Sequence, residues 1–441
     1  MSSGSGYESK LRMPEEALSV VRSGMRVYIQ PGCAEPETLV EALLKRSPSV
    51  RDIEVVHLLT LGCADYVKPE MEDHFRHNAI FIGANVREAV NDGRADYTPV
   101  YLSEVEELFE SGAMPLDVAL IQVSPPDRHG FCSFGVGVDT TLTAAKCARY
   151  VIAQVNDQMP RTYGDSFIHL SQIDTFVESS RPLCELPEPE ISDLHMAIAK
   201  NVASLIEDGA VLQTGIGGIP DAVLRFLMDR KDLGVHTELV SDGVIPLIKA
   251  GVITGSRKNF KPRKIILGFV LGTKKLFEFV DNNPIFEFHP SAYTNDPVRI
   301  ARNDKMVAVN SALQIDLTGQ VCSDSVGTYF YSGIGGQVDF LRGRPTRKAA
   351  NRLSRCLPRP SEARSRVSCR CSSPVREWSH PEGSFATWSP NTAWPTFMAS
   401  LFVSERRRSL KSPIPSSARN SMSTARRRNG FSAEIFWQLK P

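Results

Sequence analysis

The sequence predicts an α/β protein with mostly parallel sheets, built from two copies of one unit and followed by a tail of different make-up. Three observations carry this. A strand–turn–helix pattern occurs twice, about 184 residues apart. The strand candidates are short continuous apolar runs, as in parallel sheets covered on both faces. The composition changes abruptly after Gly343.

In the first copy, residues 16–21 read as a helix closed by Ser23 and Gly24. Residues 27–29 are a short apolar strand, Pro31 and Gly32 turn the chain, and Pro36 opens a helix through Leu39, Val40, Leu43 and Leu44. In the second copy a helix ends over 202–206, Asp208 and Gly209 stop it, and 210–212 is a strand. A glycine-rich turn at 215–218 follows, and Pro220 opens a helix with Val223, Phe226 and Leu227 at i, i+3, i+4 spacing. Further buried strands are expected at 118–123, 151–155, 264–270 and 306–310. Pro182, Pro187 and Pro189 mark a linker over 181–190. The domains are therefore expected at 1–185 and 186–343, with 344–441 as a separate tail.

The 441 residues are 42% hydrophobic and 23% charged, which excludes a fibrous or wholly disordered chain. No apolar run reaches the roughly 18 residues that would span a bilayer, and the N-terminus lacks a signal pattern. No membrane partner and a cytoplasmic location are expected. The nine cysteines include no Cys-x-x-Cys pair, so neither a disulfide framework nor a zinc site is predicted. His74 and His77 lack a third ligand, so no metal is expected there.

The net charge of +1 hides two opposite parts. The last 98 residues carry 19 basic against 5 acidic side chains, a net +14, while the preceding 343 carry a net −13. All 4 Trp lie in the tail and 28 of the 30 Gly lie before it. The arginine triplets at 406–408 and 426–428 could contact phosphates, yet no aromatic stripe or nucleic-acid fold frames them, so nucleic acid is not the expected partner.

Chemistry is expected in the second copy, because glycines let backbone amides approach a ligand. Gly215, Gly217 and Gly218 lie between a strand and a helix, where N–H groups can face an anion. Gly333, Gly335 and Gly336 repeat the Gly-x-Gly-Gly pattern. Glu238, in His-Thr-Glu, sits among apolar and small residues; such a carboxylate is either a general base or a nucleophile, if partly desolvated, or else a solvated or salt-bridged side chain. No Gly-x-Ser-x-Gly elbow accompanies the turn at 124–130, so a serine-hydrolase triad is not predicted.

Four stretches resemble the acetyl-CoA hydrolase/transferase family, and within it the 4-hydroxybutyrate CoA-transferases. They are 121–135 (IQVSPPDRHGFCSFG), 234–243 (GVHTELVSDG), 309–321 (VNSALQIDLTGQV) and 331–340 (YSGIGGQVDF). The resemblance runs from about residue 13 to 343. It implies the CoA-transferase fold, a pair of related α/β domains. It places the nucleophile on Glu238, CoA-binding and oxyanion-stabilising loops at Gln213, Gly215, Gly217, Gly218, Gly335 and Gly336, and substrate positioning on Asn310. Coenzyme A is then a substrate and no cofactor is needed. The partners are acyl-CoA and short carboxylic acids such as 4-hydroxybutyrate, and a homodimer is compatible with it. The intermediate would be a glutamyl-CoA thioester. The alternatives are an acetyl-CoA hydrolase of the same fold, and a chain inactivated by its C-terminus.

The tail departs from the family, whose members continue with a Val-Val-Thr-Glu-Tyr-Gly-Val-Ala-Tyr-Leu-His-Gly-Lys-Ser-Leu-Arg-Glu-Arg segment. Codons can be chosen for residues 387–406 so that the frame starting at the third base reads this segment in full. A shifted reading frame beginning near Gly343 is therefore expected. Out-of-frame residues lose every hydrophobic period, so 344–441 should form no packed domain.

Overall fold

A computed structural model of the chain describes residues 4–315 and 320–343. The tail 344–441, where no packed domain is expected, lies outside the described residues. The described residues form two compact units: one holds 4–311 and 327–343, the other 312–315 and 320–326. In the small unit, Gln314–Ile315 pairs antiparallel with Val321–Cys322. The large unit holds both α/β halves.

Its first half is a seven-stranded sheet. The spatial order is Asp96–Tyr97, Phe75–Ala79, Ile53–His57, Arg26–Ile29, Val118–Val123, Tyr150–Asn156, Thr175–Ser179, and every pairing is parallel. Successive side chains point to opposite faces, which explains the unbroken apolar runs. Val27, Ile29, Val118 and Leu120 enter one core with Leu39, Val40 and Leu43 of the helix Glu37–Leu44. Tyr28, Ala119, Ile121 and Val123 enter the other, which continues into the second half through Leu212, Leu224, Val240 and Leu267.

The second half has smaller parallel sheets. Val211–Thr214 lies between Gly234–Val235 and Met306–Val309, Leu239–Val240 pairs with Phe269–Val270, and Ile265–Leu267 pairs with Phe286–Phe288. The duplicated unit is present as read: strand Arg26–Ile29 precedes helix Glu37–Leu44, and strand Val211–Thr214 precedes helix Gly218–Arg225. Three details differ. The helix expected at 16–21 is one α-helical turn, Pro14–Ala17, continued by a 3-10 turn, Leu18–Val20. The run 264–270 is two strands broken at Gly268, whose N–H and C=O serve different neighbours. Pro220 lies inside the first turn of its helix, which begins at Gly218. His74 and His77 do not converge. His74 Nδ1 lies 3.0 Å from the carbonyl of Val50, whereas His77 is buried and stacked on His57 at 4.1 Å.

The sheet order reverses between Arg26–Ile29 and Val118–Val123, the point where open α/β sheets leave a crevice at their carboxyl ends. Here the second half fills it. The amides of Val138 and Asp139 donate to the carbonyl of Gly268 at 3.0 and 3.2 Å, and Val270 N–H donates to Val136 at 2.9 Å. The thiol of Cys33 lies 4.0 Å from the carbonyl of Gly272. A second seam is the bridge between Gly164 and Phe288, flanked by Phe288 N–H to Tyr163 at 2.7 Å and Asp165 N–H to Phe288 at 2.8 Å. Gly164 has φ +103°, and a Cβ there would overlap the carbonyl of Phe288. Gly164→Ala is therefore expected to lose roughly 1–3 kcal/mol or more of stability, read as a lower urea midpoint. An unchanged midpoint would contradict this seam.

Candidate active site

Residues 236–238 run between the strands Gly234–Val235 and Leu239–Val240. Their backbone is held on both sides. His236 N–H donates to Leu212 at 3.0 Å, Thr237 N–H to Ile266 at 2.9 Å, and the Thr237 hydroxyl to the Thr214 carbonyl at 3.3 Å. The Glu238 carbonyl accepts from Gly268 N–H at 2.8 Å and from Phe269 N–H at 3.1 Å. The main chain cannot turn, so the Glu238 side chain is aimed.

His236 fixes the next piece. Its Nε2 lies 2.8 Å from the Thr294 carbonyl and its Nδ1 lies 3.1 Å from Asn303 Nδ2. A carbonyl only accepts, so Nε2 carries the hydrogen and Nδ1 accepts from the amide. Burial, helped by the Lys258 charge, pushes the pKa of His236 down to about 3, so the ring is neutral. It thereby anchors the turn that presents Asn295.

Asn295 is fully buried, and its Nδ2 lies 3.1 Å from Glu238 Oε2 and 3.3 Å from Asp339 Oδ2. Two carboxylates accept its two hydrogens, while its Oδ1 accepts from the Thr294 hydroxyl at 2.9 Å. Asp339 in turn accepts from Ser103 N–H at 3.1 Å and the Ser103 hydroxyl at 2.8 Å. Partly buried Glu238 has its pKa raised to about 7, first by loss of hydration and then by the Asp339 charge, with Asn295 opposing. Asp339 is raised to about 6, chiefly by burial.

Gly336 closes this cradle. A Cβ there would overlap both Glu238 Oε2 and Asn295 Nδ2. Gly335, at φ +58°, packs on the Phe81 ring, and its carbonyl accepts from Leu102 N–H at 3.1 Å. Of the residues singled out from the sequence, the structure thus joins Glu238 to Gly336. Gln213 and Asn310 form a separate reciprocal amide pair at 3.0 and 3.1 Å, and a Cβ on Gly215 would lie 3.8 Å from Asn310 Oδ1. Gly217, with φ +110°, lets the chain enter the helix Gly218–Arg225, and Gly218 abuts His195. The asparagine on the Glu238 carboxylate is therefore Asn295 and not Asn310.

Sequence reasoning missed Asn295, Asp339 and Ser103. Asp339 lay in view, inside the Gly-Gly-Gln-Val-Asp-Phe stretch. Asn295 sits in no glycine-rich motif, and Ser103 comes from the other half of the fold.

This arrangement can do nucleophilic acyl chemistry. It offers a half-ionised carboxylate at neutral pH, an amide N–H beside it, and a side-chain-free wall for a substrate to pass. Among the described residues no group of His, Cys, Asp and Glu is arranged to hold a metal ion.

Comparison with known proteins agrees with the geometry. A family model for the acetyl-CoA hydrolase/transferase N-terminal domain matches residues 1–185, and one for the C-terminal domain of the same family matches 272–375. The 4-hydroxybutyrate coenzyme A transferase of Clostridium kluyveri is 53% identical over 337 residues, which is 76% of this chain and 79% of that protein. The succinyl-CoA:acetate/propanoyl-CoA:succinate CoA transferase of Fasciola hepatica is 48% identical over 332 residues, 75% of this chain and 69% of that protein. Among solved structures, RipA from Yersinia pestis superposes with a TM-score of 0.71 at 34% identity, covering 77% of this chain and 79% of that one. The 4-hydroxybutyrate CoA-transferase of Porphyromonas gingivalis superposes at 0.66 with 40% identity, covering 76% and 78%. With two parallel α/β halves meeting at a cradled glutamate, and relatives of this similarity, the chain belongs to the acetyl-CoA hydrolase/transferase family and to the CoA-transferase class of enzyme.

Proposed function

We propose that this site moves CoA from acetyl-CoA or another acyl-CoA to a short carboxylic acid such as 4-hydroxybutyrate, through a glutamyl-CoA thioester on Glu238. The observation that carries the reading is the Glu238 carboxylate held against Asn295 Nδ2 and the Cα of Gly336. The Clostridium kluyveri relative, whose name gives the acid, supports the choice of acceptor.

A Glu238 oxygen attacks the thioester carbonyl, the C–S bond breaks, and CoA leaves as thiolate. The product is an acyl-glutamyl anhydride. The thiolate then attacks the side-chain acyl carbon of Glu238, releasing the carboxylate and leaving CoA on Glu238. An incoming carboxylate takes the CoA by the same steps in reverse, so no net proton or water is consumed. Addition of the thiolate to the Glu238 acyl carbon places negative charge on a Glu238 oxygen, to which the Asn295 amide can donate, and such a donor is worth roughly 3–4 kcal/mol in other enzymes. Water attacking the thioester instead would make the site a hydrolase. Product analysis with and without acceptor acid distinguishes the two. A cytoplasmic setting is part of this reading, because acyl-CoA and short carboxylates are water-soluble substrates; no helix among the described residues is long and apolar enough to cross a membrane.

We also propose that the reading frame changes near Gly343, which the codon match over 387–406 supports. Resequencing the gene around codon 343 is expected to find an insertion or deletion that is not a multiple of three bases. An in-frame sequence confirmed on genomic DNA and transcript would overturn the proposal.

Incubation with acetyl-CoA, for the 441-residue chain and a frame-restored form side by side, should leave CoA on the peptide containing Glu238. Glu238→Gln should lose the adduct, and an adduct at another carboxylate would sink the assignment. Adduct formation should rise with pH through about 7, because only the ionised Glu238 attacks. Gly336→Val should abolish adduct formation while the fold persists, since the new side chain fills the space against Glu238 and Asn295. Unchanged turnover would remove Gly336 from the site.

A further inference from the structure

We infer that Asp339 is a positioning residue, which holds the Glu238 carboxylate in place through Asn295 and ties that placement to Ser103 of the other half. The inference rests on the reading of Glu238 as nucleophile and adds a residue to it.

The donors decide the geometry. Three converge on Asp339: Oδ2 accepts from Ser103 N–H at 3.1 Å and Asn295 Nδ2 at 3.3 Å, and Oδ1 accepts from the Ser103 hydroxyl at 2.8 Å. Asp339 is fully buried, so no water replaces these partners at the same cost. An Asn amide has two hydrogens. With Asp339 taking one, the other is directed to Glu238 Oε2, and the amide cannot flip because its oxygen would then face two carboxylates. Asp339 also repels Glu238, so the two acids stay apart with the amide between them.

Its placement in the chain is unusual. Asp339 is the third residue of the helix Gln337–Arg342, which Gly336 precedes. An acidic residue there ordinarily folds back on its own helix start. This one reaches across to the 3-10 turn Leu102–Glu104. The same turn grips the helix elsewhere: Leu102 N–H donates to Gly335, and the Arg342 guanidinium lies 4.5 Å over the Tyr101 ring. The charged and titratable groups around the pair are Glu104 beside Asp339, Asp139 behind Gly268, and neutral His236 below Asn295.

A carbodiimide with glycine ethyl ester couples to the protonated acid of Glu238, and needs no CoA. Its failure is thus separable from failure of the covalent-intermediate reading. The full-length chain is labelled across about pH 5–9 and the Glu238 peptide is quantified by mass spectrometry. Asp339→Asn keeps the shape: its oxygen can face Ser103 N–H and Asn295, and its amide can donate to the Ser103 hydroxyl. It removes only the charge. The labelling midpoint should move to lower pH, and coupling near pH 7 should fall at least about twofold. Ser103→Ala removes the hydroxyl bond between the halves but keeps the Ser103 N–H bond and the carboxylate, so its midpoint should stay near that of the parent. A folded Asp339→Asn with an unmoved midpoint overturns the inference, as does a Ser103→Ala shift of equal size, which would make Asp339 a docking group alone. If Asp339→Asn does not fold, Asp339→Ser is read in the same way. If neither folds, Asp339 serves the fold only and the inference fails.

Discussion

The site depends on one crossing of backbone at Gly268. Its N–H, together with that of Phe269, holds the Glu238 carbonyl, while its own carbonyl is held by Val138 and Asp139 from the other half. A Cβ at this position would lie 3.3 Å from the Glu238 carbonyl oxygen and 3.4 Å from that of His289. Both are tighter than side-chain atoms ordinarily approach, so the crossing is built around the missing side chain. The second half sits where the parallel sheet would otherwise leave its crevice open, and it brings Glu238 with it.

Electrostatics follow from that enclosure. Burying carboxylates raises their pKa, and the site brings two of them to one amide. The pKa of Glu238 is raised to about 7, which in the proposed reaction would leave it both ionisable and basic enough to attack. In the proposed reaction the same residue must later leave as a carboxylate, so neither a strongly acidic nor a fully neutralised group would serve both steps. Asn295 and Asp339 set this balance from opposite directions, one by donating to the charged form and one by repelling it.

Much of the fold was legible in the sequence. The duplicated strand–turn–helix units were readable because apolar runs and Pro/Gly punctuation are local signals. Val118–Val123 is a strand with the predicted bounds. Glu238 and Gly336 were visible as motif residues, and they do meet. Asn295 was not legible as the partner of Glu238, because nothing in the sequence tells which of the second half's asparagines sits in the turn that His236 anchors. Ser103 and Asp339 are 236 residues apart, and their contact belongs to the docking of the halves, which no periodicity records. The 3-10 continuation at Leu18–Val20 and the break at Gly268 were likewise set by tertiary partners and not by local propensity.

The bond between Ser103 and Asp339 also bears on how such a chain can change over time. A duplicated architecture normally frees its copies to diverge, since each folds around its own strands. Here one half supplies Ser103 and the other the carboxylates joined to it through Asn295, so a replacement on one side is neutral only when the other side accommodates it. A substitution at either end of this seam is thus constrained by the residue at the other, and recombination that exchanged one half for a distant relative's would have to carry both ends of the contact.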